Sequence, residues 1–314
     1  MSRIRYGAAW TLIMLLVFAV LFGGLVKPYE LNPEQTIQFE KRIVNGEEKY
    51  VTPPFPPDSR FWLGTDHRGF DVLSMLLNGA KYTLGYAMAV TLSRFVLALP
   101  LGLVAGVRGR GRKALGILQV VFSAVPPLLF VFPALVGVYN SLLIPAGLPP
   151  GNPNIFLFAV FAYVLLTFVG IFPLAHHMAE RASFFNGKPF VTASKAMGAG
   201  FMRIIVRHIV PHMNREIVFA FLTELVQVLF LMGQLAVMGI FIFGGAKFDF
   251  DPDPYSILLT QTGEWCSILS YGAVMIRMYP WIVFSAGAAF TLSILIIRFF
   301  LSELKGRDRS RALQ

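Results

Sequence analysis

Six apolar runs, each long enough to cross a bilayer, constrain this chain more than any other feature. They cover residues 8–26, 82–107, 114–138, 155–176, 217–243 and 281–301. A helix rises about 1.5 Å per residue, so about 20 apolar residues cross a hydrocarbon layer roughly 30 Å thick with every backbone polar group satisfied internally. Composition agrees: 56% of the 314 residues are hydrophobic and 14% are charged, and the mean hydropathy is +0.65. Length alone would suggest roughly two soluble domains; the apolar runs instead imply an all-α polytopic membrane protein with six transmembrane helices. The first run follows Arg3 and Arg5 as the core of a signal peptide would. Its apolar stretch exceeds the usual length and no small-x-small cleavage site follows, so residues 1–27 read as a retained anchor helix.

Charge orients the set. Arg3 and Arg5, the group Arg108, Arg110, Arg112 and Lys113, the loop cations from Arg181 to Arg215, and Lys305, Arg307, Arg309 and Arg311 all fall on one side. The opposite side carries Lys27, Lys41, Arg42, Lys49, Arg60, Arg68, Lys81, Lys247 and Arg277 against a larger number of acids. Excess Lys and Arg mark cytoplasmic loops, so both termini are expected in the cytoplasm. The net charge of +10 is then mainly a topology signal, and GVRGRGRK at 106–113 reads as a cytoplasmic turn rather than a nucleic-acid contact. Cys266 is the single cysteine, which excludes an intrachain disulfide framework and a multi-cysteine metal site within one chain.

The connections divide the rest into an extracytoplasmic loop at 28–81, a five-helix core at 82–301 with a cytoplasmic loop at 178–215, and a basic cytoplasmic tail at 302–314. The outer loop is punctuated by PPFPP at 53–57, and SLLIPAGLPPGNPN at 141–154 reads as a cap on the outer face. In the cytoplasmic loop NGKP at 186–189 signals a turn with a proline suited to the first turn of a helix. The pattern predicts a short helix over 190–197, a glycine corner at Gly198 and Gly200, and a second helix over 201–210 that Pro211 kinks or ends. Helices so short are marginal alone and must dock. Phe190, Met197, Phe201 and Met202 offer apolar faces beside Lys195, Arg203 and Arg207. Composition leaves two readings open, a helix pair lying on lipid phosphates or a socket for a cytoplasmic protein.

VTASKAMGAG, followed by RIIVRHIVP, resembles the "EAA" loop of permease subunits of binding-protein-dependent ABC importers, where an Ala-rich helix, a Gly and a later Leu-Pro recur. Ala193, Gly198, His208 and Pro211 fall on matching positions, whereas Thr192 stands where the family usually has Glu and Ser194 where it has the second Ala. FWLGTDHRGFDVLSMLLNGAKYTL at 61–84 is similar to the segment before the second span of the oligopeptide/dipeptide/nickel group, through Gly64, Thr65, Asp66, Gly69, Asp71, Val72, Leu73, Ser74, Gly79 and Ala80. Phe70, Met75 and Lys81 replace three arginines of that pattern. A weaker match covers Glu224, Trp265 and the stretch from Tyr279 to Leu304. The resemblance, to the second (C-type) permease subunit, spans nearly the whole chain from residue 61.

The resemblance implies a type I importer permease fold in the inner or plasma membrane of a bacterial or archaeal cell. It also implies a second homologous permease subunit, two ATP-binding subunits and an extracytoplasmic solute-binding protein as partners besides the lipid bilayer. The transported solute would be a peptide or a related small molecule. The sequence lacks the G-x-x-x-x-G-K-[ST] phosphate loop, so no cofactor is expected in this chain, and ATP and Mg²⁺ would be held by the partners. The chain itself would not be an enzyme. The expected ATPase-coupling loop comprises Phe190, Thr192, Ala193, Lys195, Met197, Gly198, Phe201, Arg203, Arg207, His208 and Pro211.

Other candidates carry bland readings beside sharp ones. His208 and His212 have the i,i+4 spacing of a zinc pair, with His176 and His177 at similar depth, but Pro211 intervenes and no H-E-x-x-H motif is present. No metal site is expected. Asp249, Asp251 and Asp253 alternate as in a calcium loop, yet Pro252 and Pro254 stiffen the segment and the turn glycine is absent; an exposed rim is the preferred reading. Glu224, Gln227 and Gln234 lie along the fifth run as a candidate translocation pathway, or as glue between helices with Arg94 a mid-membrane partner. Arg298 is placed to snorkel. A membrane hydrolase is disfavoured because neither G-x-S-x-G nor H-E-x-x-H occurs. A stand-alone secondary transporter or channel of six helices is the alternative function, although no inverted repeat is visible.

Overall fold

The computed structural model describes residues 3–32, 39–44, 47–142, 152–249 and 256–312. Helix dominates. Five helices or helix runs are long and apolar enough to cross a membrane, and a bent pair supplies a sixth. The first, α1 (Arg3–Val26), carries a Gly-Gly pair in its last turn, and Leu25, Val26 and Lys27 separate that pair from Pro28. Among the described residues strands are confined to two antiparallel hairpins, β1 (Glu40–Val44) with β2 (Glu47–Val51), and later β3 (Ala246–Asp249) with β4 (Ser256–Leu259).

The second span is longer than its apolar run. Helix α2 (Val72–Arg108) starts ten residues before residue 82 because Asp71 caps it, accepting hydrogen bonds from the Ser74 amide at 2.8 Å and hydroxyl at 2.7 Å. The third run, expected as one span over 114–138, is instead broken into α3 (Arg112–Ala124) and α4 (Pro127–Leu142), which meet at 71°. The cause is local. Pro126 forces the preceding residue out of the helical region, and Val125 takes φ −121 and ψ 139.

Helix α5 (Pro153–Asn186) runs well beyond its apolar core and leads directly into α6 (Pro189–Ala196). After the corner come α7 (Phe201–Ile204), a π-helical turn (Ile205–Ile209) and α8 (Val210–Val237). Pro211 therefore does not end the second loop helix; Phe201–Val237 is one helical run. A π turn shifts the hydrogen-bond register and gives up one backbone bond where it returns to α, and a residue without an N–H is tolerated there. The fifth span stops at Val237 rather than residue 243. Gly239 takes φ +83, and the Gly239 and Ile240 amides donate to Ala236 and Leu235 in a Schellman end. Helix α9 (Trp265–Val274) is short and largely buried, and α10 (Pro280–Ala312) carries the last span through most of the basic tail.

Two compact units result. One holds Met1–Ala87, Leu135–Val160 and Leu229–Gln314, the other Met88–Ala134 and Phe161–Val228. In the first, α1 packs on α10, with Trp10 edge-on to Phe300 at 4.9 Å and Arg5 paired to Glu303 at 3.1 Å. In the second, α2 and α5 approach closely through small residues. A Cβ on Gly102 would lie 2.6 Å from the Ala175 carbonyl, and one on Gly106 would lie 2.8 Å from the Ala182 methyl. Where lipid is as apolar as the helix, such close backbone approach is what favours association. The cap expected at 141–154 lies mostly outside the described residues, as do Asp251 and Asp253.

Candidate functional site

The loop expected on the cytoplasmic side is a docked helix–corner–helix. Pro189 opens α6 as its first residue. Gly198 closes it at φ +81, with the Gly198 and Ala199 amides donating to Lys195 and Ser194, the same Schellman chemistry as at Gly239. Val191 of α6 and Ile204, Ile205, Ile209 and Met213 of the second arm are buried in a core that includes Phe95, Ala98 and Leu103 of α2 and Leu174, Ala175, Met178 and Ala182 of α5. This apolar seat answers the requirement that helices so short have something to dock on.

Polar contacts join the two arms. Ser194, buried, meets His208 Nε2 at 3.1 Å through its hydroxyl. The His212 ring stacks on Phe190 with centroids 4.5 Å apart, and its Nδ1 meets the His208 carbonyl at 2.5 Å. These contacts occupy the histidines that share zinc-like spacing. Lys195 donates to Asn186 at 2.8 Å, and the Arg108 guanidinium lies 4.2 Å from the Phe201 ring centroid. Ser194 thus faces inward, while Thr192, the other departure from the EAA pattern, is exposed and bonds its own turn through the Lys188 carbonyl at 3.4 Å. Outward stand Ala193, Met197, Met202, Arg203, Val206 and Arg207. Met197 is 81% exposed and Met202 65%, an apolar surface bordered by cations at the place where two spans emerge.

Within the same unit Glu224 is turned to a partner. Arg94 of α2 donates Nη1 to Glu224 of α8 at 2.8 Å, and donates Nε and Nη2 to the Leu166 carbonyl of α5 at 3.1 and 2.6 Å. Gln227 and Gln234, seven residues apart on α8, are both exposed. The three polar residues of the fifth run are therefore not equivalent. Near the cytoplasmic end Arg112 makes a bidentate bond to Glu180 at 2.8 and 2.7 Å, and Arg181 pairs with Glu216 at 3.3 Å.

The outer motif has a structural explanation in the other unit. Thr65 Oγ1 accepts from the Phe55 amide at 2.8 Å, and buried Asp66 accepts from the Arg68 and Phe70 amides and from the Arg68 side chain. Ser74 completes the cap of α2 and accepts from the Tyr29 amide at 3.0 Å, tying in the chain just beyond α1. His67 bonds to the Tyr271 hydroxyl, and burial lowers its pKa. Trp265 donates its amide to Thr83 at 3.0 Å and its indole N–H to the Leu76 carbonyl at 2.8 Å. Beside it Glu264, fully buried between the fifth and sixth spans, accepts from the Ile242 and Phe243 amides at 3.0 and 2.8 Å.

Sequence reading passed over the G-x-x-x-G of Gly102 and Gly106, a motif visible in the apolar run. It also passed over Gly170, where a Cβ would lie 2.5 Å from Arg94 Nη1, and over Glu264. For the last two no local signal exists, since their roles depend on residues distant in sequence.

Five long apolar helical runs, a bent pair that supplies a sixth, biased charge and a docked helix–glycine–helix loop define a multi-pass membrane protein. Its homologues are permeases of peptide, dipeptide and oligopeptide transport systems. A peptide transport system permease protein, SapC, of Escherichia coli is 28% identical over 279 residues, covering 88% of this chain and 80% of that protein. A di/tripeptide transport system permease protein, DppC, of Pseudomonas aeruginosa is 27% identical over 303 residues, covering 93% and 84%. An oligopeptide transport system permease protein, OppC, of Bacillus subtilis is 22% identical over 275 residues, covering 87% and 74%. No protein-family model matches the chain.

Proposed function

We propose that this chain is the membrane-spanning permease subunit of an ATP-driven importer that takes up peptides or a related small solute delivered by an external binding protein. The observation that carries the reading is the cytoplasmic loop. Its inner face is seated on α2 and α5, while its outer face presents Met197, Met202 and Val206 beside Arg203 and Arg207. A lipid-facing amphipathic helix would satisfy that composition as well; similarity to permeases of peptide transport systems over most of the chain favours a protein partner. In this reading two ATP-binding subunits hold ATP and Mg²⁺, one of them docks on residues 190–211, and a second, homologous permease completes the pathway. Closure of the ATPases presses on the loop, and the spans respond as rigid elements that switch between two packings. Gln227 and Gln234 are the pathway candidates on α8, with Glu224 committed to Arg94.

The test is purification from the native membrane followed by reconstitution in liposomes. Isolation with ATPase subunits and ATP-dependent peptide accumulation is the expected result. Transport by the purified chain alone without ATP would overturn it in favour of a stand-alone transporter or channel.

A further inference from the structure

We propose that Arg94 is the strut that makes the cytoplasmic loop and the membrane helices move as one body. The inference rests on the coupling reading above and concerns how a push on the loop reaches membrane depth. The two arms of the loop continue into different spans: α6 follows α5 after two residues, and α7 runs through the π turn into α8. A force on the loop could therefore shear α5 against α8 and dissipate. The apolar contacts near the loop oppose this weakly, because dispersion contacts are non-directional and α2 meets α5 there over glycines and alanines.

Arg94 supplies what that contact lacks. Its guanidinium is planar and its donors diverge. Two of them fix the Leu166 carbonyl of α5 and a third fixes the Glu224 carboxylate of α8, all from one side chain of α2 that is 4% exposed. The site is shaped for it. Gly170 lies one turn beyond Leu166, and any side chain there would occupy the space of the guanidinium. An arginine in the apolar layer is tolerated only with its partners in place, so separating α5 from α8 would strand a charge. The three helices are held together in each state the transporter adopts, and Arg94 acts as a positioning residue rather than by touching solute.

The test is a coupling ratio, solute accumulated per ATP hydrolysed, measured in liposomes on the assembled complex. The double variant Arg94→Met with Glu224→Gln removes both charges together and so avoids stranding one of them. It is expected to insert and assemble, to hydrolyse ATP within about twofold of the unaltered complex, and to lose about tenfold in the ratio, as the break of a rigid connection requires. Arg94→Lys, which can reach Glu224 but cannot also fork onto Leu166, is expected to assemble and remain uncoupled. Gly170→Ala keeps both charges and is expected to lower the ratio as well; these two single variants decide the matter should the double variant fail to insert. An unchanged ratio in assembled variants, or hydrolysis and uptake falling in parallel with the amount assembled, would overturn the strut. Failure of the coupling reading itself is distinguishable, because the unaltered complex would then show uptake without ATP.

Discussion

At Gly198 the backbone stands at φ +81 with open space where a Cβ would lie, so the cost of a side chain there is conformational rather than steric. For an ordinary residue that cost is about 1–2 kcal/mol, and a β-branched one fares worse. Gly198→Val is expected to leave membrane insertion intact while uncoupling ATP hydrolysis from uptake; normal uptake beside a normal membrane level would count against the docked loop. Glu264 invites a different measurement. Burial pushes its carboxyl up to about 7 from the usual 4.5, and the Ile242 and Phe243 amides oppose the shift only in part. The folded protein then binds that proton more tightly than the unfolded chain does. Its contribution to stability is complete below pH 4.5 and is lost as pH rises through about 7. Melting temperature in detergent is expected to fall between about pH 5 and pH 8 from this cause, and Glu264→Gln to flatten the slope over the same range.

Among elements, the contact of α2 with α5 leaves no room for a side chain at its glycines. Gly106→Val would drive a branched side chain into the Ala179 carbonyl and the Ala182 methyl, an overpacking cost of about 1–3 kcal/mol or more. A lower melting temperature and a reduced yield of monodisperse protein are expected, and a variant as stable as the parent would refute the close approach. The number and order of spans were legible because an apolar run of 20 residues admits few other structures. Their ends were not. Residues 72–81 and 177–186 are helical because of the Asp71 cap and tertiary docking, neither of which raises hydropathy. The two prolines show why local rules need context. Pro126 breaks its span and Pro211 does not, since Pro126 follows an extended residue and Pro211 follows a π turn that has already changed register. The loop was legible by its glycine, its prolines and its resemblance to a known loop pattern. Arg94 and Glu224 were each visible as costly charges, but the Leu166 carbonyl and the gap at Gly170 that complete their site come from a third helix.

For the whole molecule, charge bias predicts 190–211 inside and 28–81 outside, and the one native cysteine is suited to testing this. Cys266 is 1% exposed, and burial pushes its thiol well up, so it should stay silent to maleimide. Trp62→Cys, at a position 72% exposed, is expected to label in intact spheroplasts, and Met197→Cys only after permeabilisation. The reverse pattern would invert the topology and remove the loop from the reach of any cytoplasmic ATPase. The uninterrupted helix from Phe201 to Val237 has a further mechanical meaning. Thirty-seven residues make a lever arm of roughly 55 Å, and a tilt of about 5° at one end sweeps the other through roughly 5 Å. Had Pro211 severed that arm, the same push would have been spent in bending a joint.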